Sequence, residues 1–258
     1  MFVVNPKGKN LLPRRSVLSD ETYEMIRDLI IDHHIPAGVK VNIDALSNQL
    51  NVSPTPVREA LARLESDGLI VKVALKGYTT TNLLTFKELN DLFQLRLLIE
   101  PWSAEQASSQ LNQLGKTALT SEMKSARLAL KLRDIDQVHA LTEHDARFHG
   151  LIMELAGNKS VIESFEHTHC HVHLFRLYLA TKNFLDGSKN KKDFQKVLNT
   201  QIHTPLIAAA TIKEHELIAS AITSGNGKSA REAMNSHLKL SLKRYAAAAR
   251  VLDIEGKD

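Results

Sequence analysis

One cysteine, one tryptophan and an aromatic share of only 5% leave this 258-residue chain short of the residues that staple or stack a small β-rich domain. Cys170 alone excludes an intramolecular disulfide and points to a reducing compartment, the cytoplasm. No apolar run reaches the roughly 18 residues a membrane-spanning helix needs, and the N-terminus lacks the apolar core of a secretion signal, so no membrane role is expected. Charge of one sign is also scarce: a formal net of +4 is too small by itself to establish nucleic-acid binding. Hydrolase signatures are missing as well. His215-Glu216 is followed by Ala219 where a His-Glu-x-x-His pair needs its second histidine, and there is neither a Gly-x-Ser-x-Gly elbow nor a phosphate-cradling glycine loop. What is present is Leu and Ala, within an apolar share of 43% that suffices for a sizeable core, in a chain long enough for two domains.

The informative stretch runs from Asp44 to Gly68. Leu46 and Leu50 share one face of a short helix, and Val52 closes the turn after it. Val57, Ala60, Leu61 and Leu64 then fall at i, i+3, i+4 and i+7, one apolar stripe on a second helix. Ser53 suits the N-cap, where its hydroxyl accepts from orphan amides, and Pro54 suits the first helical position, where no amide is needed. Thr55, Arg58, Glu59, Ala62, Arg63 and Ser66 are left outside, mostly small or basic groups that can enter a groove. A short helix bracing a second one that shows Thr and Arg near its N-terminus is the layout of helix-turn-helix DNA readers. A helical hairpin in an ordinary domain is the alternative. The run Val-Ser-Pro-Thr-Pro-Val-Arg-Glu-Ala-Leu-Ala-Arg-Leu-Glu-Ser-Asp-Gly-Leu-Ile closely resembles the GntR family of bacterial transcription regulators. Members of that family often carry Arg directly after the turn Ser, contacting DNA; here Pro54 stands there, which removes one expected contact.

Residues 1–18 carry Lys7, Lys9, Arg14 and Arg15 without an acid, a basic extension that is either solvated or adds nonspecific phosphate contacts. Ser19 with Asp20 and Glu21 predicts a helix start; Tyr23, Ile26 and Ile30 mark its buried stripe, and Pro36 to Gly38 its stop. After Gly68, Leu69–Val73 and Tyr78–Thr81 flank Lys76-Gly77 and predict a two-stranded wing. Residues 19–82 therefore read as a winged helix-turn-helix, with Arg58, Arg63, Lys72 and Lys76 lining one approach surface. Thr85 to Glu88 predicts a capping box that opens a second domain. From 85 to 250 the pattern is helical throughout, so the fold class is mainly α, the second domain an all-α antiparallel bundle. Leu92, Leu95, Ile99 and Trp102 form one stripe, with Pro101 bending the helix. Gly115, Gly157-Asn158, Asp186-Gly187 and Gly225-Asn226-Gly227 divide the remainder, and lysine-rich 182–192 reads as a flexible loop.

The histidines sort by spacing. Asp145 and His149 are four apart and meet on one helix face, which Leu141, Phe148, Leu151, Ile152 and Leu155 turn toward the interior. A carboxylate and an imidazole aimed inward are costly unless paired, and a divalent metal offsets that cost. His215 and His237 sit among apolar neighbours on later helices. A rival group is His167, His169, Cys170, His171 and His173, in which 167/171 and 169/173 are i, i+4 pairs. Consecutive residues on one helix point to different sides, so these five cannot converge on one ion. One of them, with Arg176, is a candidate effector contact. Arg96, among Leu95, Leu97, Leu98 and Ile99, needs an anion, and Glu100 at i+4 is the nearest.

Asp-x-x-x-His followed by Ala-Gly-Asn, then Glu-His-x-x-Ile-x-x-Ala-Ile, then Met-x-x-His-Leu resembles the FCD ligand-binding domain of the FadR subgroup. With the winged helix, the resemblance spans residues 20–245. In metal-binding members one Asp and three His hold a divalent ion, which implies Asp145, His149, His215 and His237 here. Such a set suits Zn²⁺ or Ni²⁺; a metal-free polar network is the alternative. Family members often keep an Arg near the effector pocket at the place of Arg96, so the resemblance implies that Arg96 and an open metal position grip a small carboxylate. The implied whole is an effector-binding, dimerising regulator. Two winged helices of a homodimer would read half-sites of a pseudo-palindromic double-stranded operator, Arg58 touching bases and Thr55 and Lys76 touching phosphate or the minor groove. A small organic acid beside the metal would shift the placement of the two DNA heads, and the resemblance favours a repressor released by its ligand. Two other readings stand beside this one: a regulator whose effector is the ion itself, and a metal-dependent hydrolase, for which no general base is evident.

Overall fold

Ile26 and Ile30 of helix α1 (Arg14–Ile31) meet the stripe Val57, Ala60, Leu61 and Leu64 of α3 (Pro54–Ser66), and all six side chains are fully buried. This pairing builds the first of two units, Met1–Asn82 and Leu83–Asp258, in a computed structural model that describes residues 14–31, 34–75, 77–187 and 205–255. The side chains of 14–17, 134–135, 182–187, 205–206, 251 and 253–255 lie outside that description, as do all of residues 1–13, Lys76 and 188–204. Helix α1 begins upstream of Ser19. No Pro or Gly stands between Arg14 and Ser19, so nothing stops the helix from growing back through a cap-like sequence.

Asn42 caps α2 (Ile43–Leu50), its side-chain oxygen accepting the amides of Asp44 and Ala45 at 3.0 and 3.1 Å. Ser53 occupies the N-cap of α3, but its hydroxyl accepts no amide. Part of the reason is local: Pro56 fills the third helical position, so of the two amides a serine cap can receive only that of Thr55 exists. Strands β1 (Lys40–Val41), β2 (Ile70–Val73) and β3 (Gly77–Thr80) form an antiparallel sheet in the order β1-β3-β2. The expected two-stranded wing thus gains an edge strand, which two residues are too few to announce by alternation. Thr80 ties that edge down, its hydroxyl donating to the Pro36 carbonyl at 2.6 Å and accepting the Val39 amide at 3.0 Å.

The second unit is all helical among the described residues: α4 (Phe86–Gln110), α5 (Gln113–Ala129), α6 (Asp134–Ala156), α7 (Lys159–Glu166), α8 (Cys170–Gly187), α9 (Pro205–Thr223) and α10 (Gly227–Glu255). Its core includes Phe93, Phe148, Ile152, Leu177, Ile218, Met234 and Leu238. α4 opens on a capping box, with the Glu88 amide donating to Thr85 Oγ1 at 3.2 Å and the Thr85 amide to Glu88 Oε2 at 2.9 Å. Thr85→Ala removes the hydroxyl that accepts the Glu88 amide, while leaving the backbone amide that donates to Glu88, and is expected to cost about 1 kcal/mol in a urea melt; an unchanged midpoint would show that the cap contributes nothing.

Several expectations are corrected here. The deeply buried face of α4 is Leu89, Phe93, Arg96, Glu100, Ser103, Ala104 and Ala107, whereas Leu92, Leu95, Ile99 and Trp102 are only half-buried. Leu92 and Ile99 pack instead on a small cluster of Met153, Phe165 and Cys170. Two adjacent apolar stripes compete on this helix, and the one carrying an ion pair is the one that goes inside. Gly115 lies within the first turn of α5 rather than between helices, because a Cβ there would come 2.5 Å from Leu155 Cδ2. Of the stretch expected as a loop, 182–187 continues α8, and 188–192 lies outside the described residues. Residues 167–173 are not one helix: α7 ends at Glu166, and His169 sits in the left-handed region at φ 45° before α8 begins.

Candidate functional site

Helices α6, α9 and α10 bring Asp145, His149, His215 and His237 together, with one donor atom from each lying within 4.8 Å of the others. That spread is close to twice the roughly 2.0–2.2 Å bond that N and O ligands make to a zinc-sized ion. Asp145 Oδ1 is 3.6 Å from His149 Nε2 and 3.5 Å from His215 Nε2, and His215 Nε2 is 3.4 Å from His237 Nε2.

The outer nitrogens decide what the inner ones can do. His237 Nδ1–H donates to Glu214 Oε2 at 2.8 Å, and His149 Nδ1–H donates to Glu100. His144 Nδ1–H donates to Glu122 Oε1 at 2.7 Å, so its Nε2 accepts, and the 2.9 Å contact to His215 Nδ1 makes that atom the donor. Each imidazole therefore carries its proton on Nδ1 and turns a bare Nε2 lone pair inward, the tautomer a metal ligand needs. No hydrogen bond can then join His215 Nε2 to His237 Nε2, and buried His149 Nε2 has no hydrogen-bond partner among the described residues. Lone pairs gathered in this way repel one another until a cation sits among them, and these residues fit a divalent ion. Phe148, stacked on the His215 ring at 4.2 Å, fixes the plane of that ligand.

Electrostatics agree for His215, His237 and His144, whose neutral forms are favoured, while at His149 they favour the charged ring unless an ion takes the place of its second proton. Burial and neighbouring His237 push His215 well below the ordinary imidazole value, and burial likewise lowers His237 and His144. For His149 burial works the other way from Glu100 and Asp145, and the two carboxylates win, raising it. Burial opposes ionisation of Glu100, yet the Arg96 guanidinium and His149 hold it down at about 2. Asp145 stays well below the usual carboxylate range for a similar reason, with burial outweighed by His149 and by His171, whose Nδ1–H donates to Oδ2 at 2.8 Å. The centre favours positive charge next to His149 and neutral rings opposite it.

A cavity of about 60 Å³ adjoins this cluster, with Asp145, His171, His215, His237, Thr211 and Arg244 among its polar walls and Leu141, Leu174, Phe175 and Ile212 among its apolar ones. Arg96 and Arg176, expected as effector contacts, do not line it. Arg96 is 1% exposed and bound to Glu100, so its guanidinium braces the His149 side of the cluster from behind. Arg176 is buried in α8, where desolvation lowers it to about 10. Of the second histidine group, His171 reaches the centre by holding Asp145, while His167 is exposed and contacts the Glu163 carbonyl at 2.6 Å.

In the first unit, Thr55 and Arg58 are exposed at the start of α3, and Arg58 makes no ion pair or hydrogen bond among the described residues. Lys72 is exposed on β2, and Lys76 lies outside the described residues. Arg63, expected on the DNA side, is committed elsewhere: Nη1 is 2.6 Å from Asp20 Oδ1, and its guanidinium lies 4.0 Å from the Tyr23 ring centroid. It ties α3 to α1. Burial and then a 2.7 Å hydrogen bond to Asp67 raise the Tyr23 hydroxyl to about 12, which completes that tie.

Residues 18–78 match the family described as bacterial regulatory proteins, gntR family, and residues 91–240 match the FCD domain. The chain belongs to the GntR family of regulators and carries an FCD domain. It is a DNA-binding transcription regulator of mainly α fold. The "Putative L-lactate dehydrogenase operon regulatory protein" of Escherichia coli (strain K12) is 24% identical over 96% of this chain and 95% of its own length. The HTH-type transcriptional repressor RspR of the same strain is 26% identical over 54% of this chain and 59% of its own. Among solved structures, GntR from Rhodococcus sp. RHA1 superposes at TM-score 0.57 with 18% identity, covering 91% of this chain and 97% of that one. E. coli McbR/YncC superposes at 0.56 with 17% identity, covering 86% and 93%. At such identities these structures bear on the fold alone. No described helix of this GntR-family chain is long and apolar enough to cross a membrane.

Reading by motif misses the groups around the ligands of this regulator: Glu100, Glu122, His144, Glu214 and Arg244. A signal for two of them is there: Glu100 stands at i+4 from Arg96, and Arg244 follows His237 by seven residues and so shares its face of α10. Glu122 has no such signal, since α5 contributes it from elsewhere in the chain.

Proposed function

We propose that this chain is a homodimeric repressor whose FCD domain holds a divalent ion, Zn²⁺ or Ni²⁺, on Asp145, His149, His215 and His237, and that a small organic acid in the adjoining cavity controls its grip on DNA. The observation that carries this is the set of inward Nε2 atoms, one of them without a hydrogen-bond partner among the described residues, opening on a cavity that has a guanidinium in its wall. Imidazole and carboxylate donors suit those two ions better than Mg²⁺ or Ca²⁺. When bound, the ion would supply a Lewis-acidic contact for a carboxylate oxygen. The chain's own residues do the rest: Glu100, Glu214 and the Glu122–His144 pair orient the rings, and the apolar wall excludes water from the acid's tail. The sign, repression, follows the name of the relative RspR.

On DNA, the Thr55–Arg58 end of α3 enters the major groove of a pseudo-palindromic operator, with Arg58 on base edges and Thr55, Lys72 and Lys76 on the backbone. Arg58→Ala is expected to weaken operator binding by about 1–3 kcal/mol, read by fluorescence anisotropy at fixed salt. A folded Arg58→Ala dimer that binds its operator as tightly as the parent removes Arg58 from that role. The control reading is tested by titrating Zn²⁺ or Ni²⁺ into chelator-treated protein on operator DNA, with and without organic acids. Release by acid only when metal is present supports it. Release by metal alone makes the ion the effector, a reading favoured by the same lone-pair cluster.

A further inference from the structure

Arg244 stands in the cavity wall with its guanidinium only partly spoken for. Its Nη1 donates to Glu214 Oε2 at 3.1 Å and to Thr211 Oγ1 at 3.2 Å, and its Nη2 donates to Glu214 Oε1. Glu214 thus occupies the end of the fork. A guanidinium has five N–H groups, and among the described residues these three contacts leave Nε–H and the second Nη2 proton, which lie parallel along its side. That side-on edge matches a carboxylate in bidentate fashion. The side chain lines the cavity and is 17% exposed, so it is largely desolvated without being sealed off.

We propose that the side-on edge of Arg244 is the carboxylate-binding element of this cavity, and that Glu214, shared between Arg244 and His237, couples the acid to the metal ligands. This rests on the effector reading above. Glu214 Oε2 accepts from both Arg244 Nη1 and His237 Nδ1. A second carboxylate on the guanidinium competes for its positive charge and leaves Glu214 more strongly bound to the His237 Nδ1 proton. A more firmly held Nδ1 proton makes Nε2 of the same ring the better donor. Acid and metal therefore strengthen each other, and the coupling is reciprocal. Thr211 and Glu214, both on α9, keep the guanidinium from swinging away when the cavity is empty of acid.

The test is calorimetric: Zn²⁺ into chelator-treated protein, and acetate, 2-hydroxypropanoate and succinate into the Zn²⁺-loaded protein, for the parent, Arg244→Gln and Arg244→Lys. At least one acid is expected to bind the parent and to tighten Zn²⁺ binding by the same factor. Arg244→Gln is expected to bind that acid roughly 10–100-fold more weakly, since a charge-assisted hydrogen bond is lost, and to show no acid-dependent change in Zn²⁺ affinity. Arg244→Lys keeps the charge without the fork and is expected to lose most of the same coupling, which serves if the glutamine variant does not fold. A folded variant that binds the acid as tightly as the parent overturns the assignment of Arg244 while leaving the effector reading intact. Parent Zn²⁺ affinity that ignores an acid known to bind overturns the coupling. Failure of every acid to bind the Zn²⁺-loaded parent removes the effector reading and this inference with it.

Discussion

Replacing Arg96 by Met is expected to destabilise the second unit by about 3–5 kcal/mol, a large part of the roughly 5–15 kcal/mol that holds an ordinary domain together. Arg96 and Glu100 are both deep inside, at 1% and 0% exposure, one turn apart on α4. Taken separately, each would be an uncompensated charge in the core. Together they form a pair, and among the described residues His149 Nδ1–H is the only other hydrogen-bond donor to Glu100. Methionine fills much of the arginine's volume but leaves the Glu100 carboxylate with an imidazole alone to balance it. The thermal midpoint should fall by roughly 6–20 °C, given about 2–4 °C per kcal/mol for a unit of this size. The combined change Arg96→Met with Glu100→Leu should recover a good share, because the orphaned charge is then gone. Scanning calorimetry on the full chain measures both. A single-variant loss below about 1 kcal/mol would mean that the carboxylate finds water or a proton instead, and that the pair does not brace the centre.

With the proposed ion bound at Asp145, His149, His215 and His237, its removal is expected to have a comparable effect. At a free Zn²⁺ concentration near 100 times its dissociation constant, binding to the folded state alone adds about 2.7 kcal/mol, and chelation should lower the midpoint by roughly 5–11 °C. His149→Ala should abolish that difference, because it deletes one of four donors and strands Glu100 against Arg96 without its second partner. Glu214→Gln is the milder counterpart: the ring stays, but the acceptor that fixes its tautomer is neutral, and Zn²⁺ affinity should fall roughly 10–100-fold. Equal midpoints with and without chelator in the parent protein, alongside elemental analysis showing no bound metal, would leave the four residues as a polar network that holds no ion.

Local periodicity on its own determined the recognition helix, the wing and the start of the second unit. The i, i+3, i+4, i+7 stripe of α3, the β-branched runs of the wing and the capping box at Thr85 are all short-range patterns, and each meets a partner within a few tens of residues. It also determined that Asp145 and His149 share a face, since one helical turn separates them whatever the rest of the fold does. Tertiary structure decided the remainder. Whether Leu92 or Arg96 faces the core of α4 is undetermined by an amphipathic pattern in which two stripes compete, and the answer came from Glu100 and His149 making the charged stripe the satisfiable one. Arg63 illustrates the opposite case: its outward position on α3 is legible, but Asp20 and Tyr23, which claim it, come from another helix. The same holds at the metal centre. Four ligands can be aligned to a motif, whereas the groups that set their tautomers (Glu100, Glu122, His144 and Glu214) and the guanidinium that faces the cavity are assembled from α4, α5, α6, α9 and α10 by packing alone. Side-chain hydrogen bonds between distant helices leave no periodic trace in a sequence, because their partners are chosen by the fold rather than by spacing.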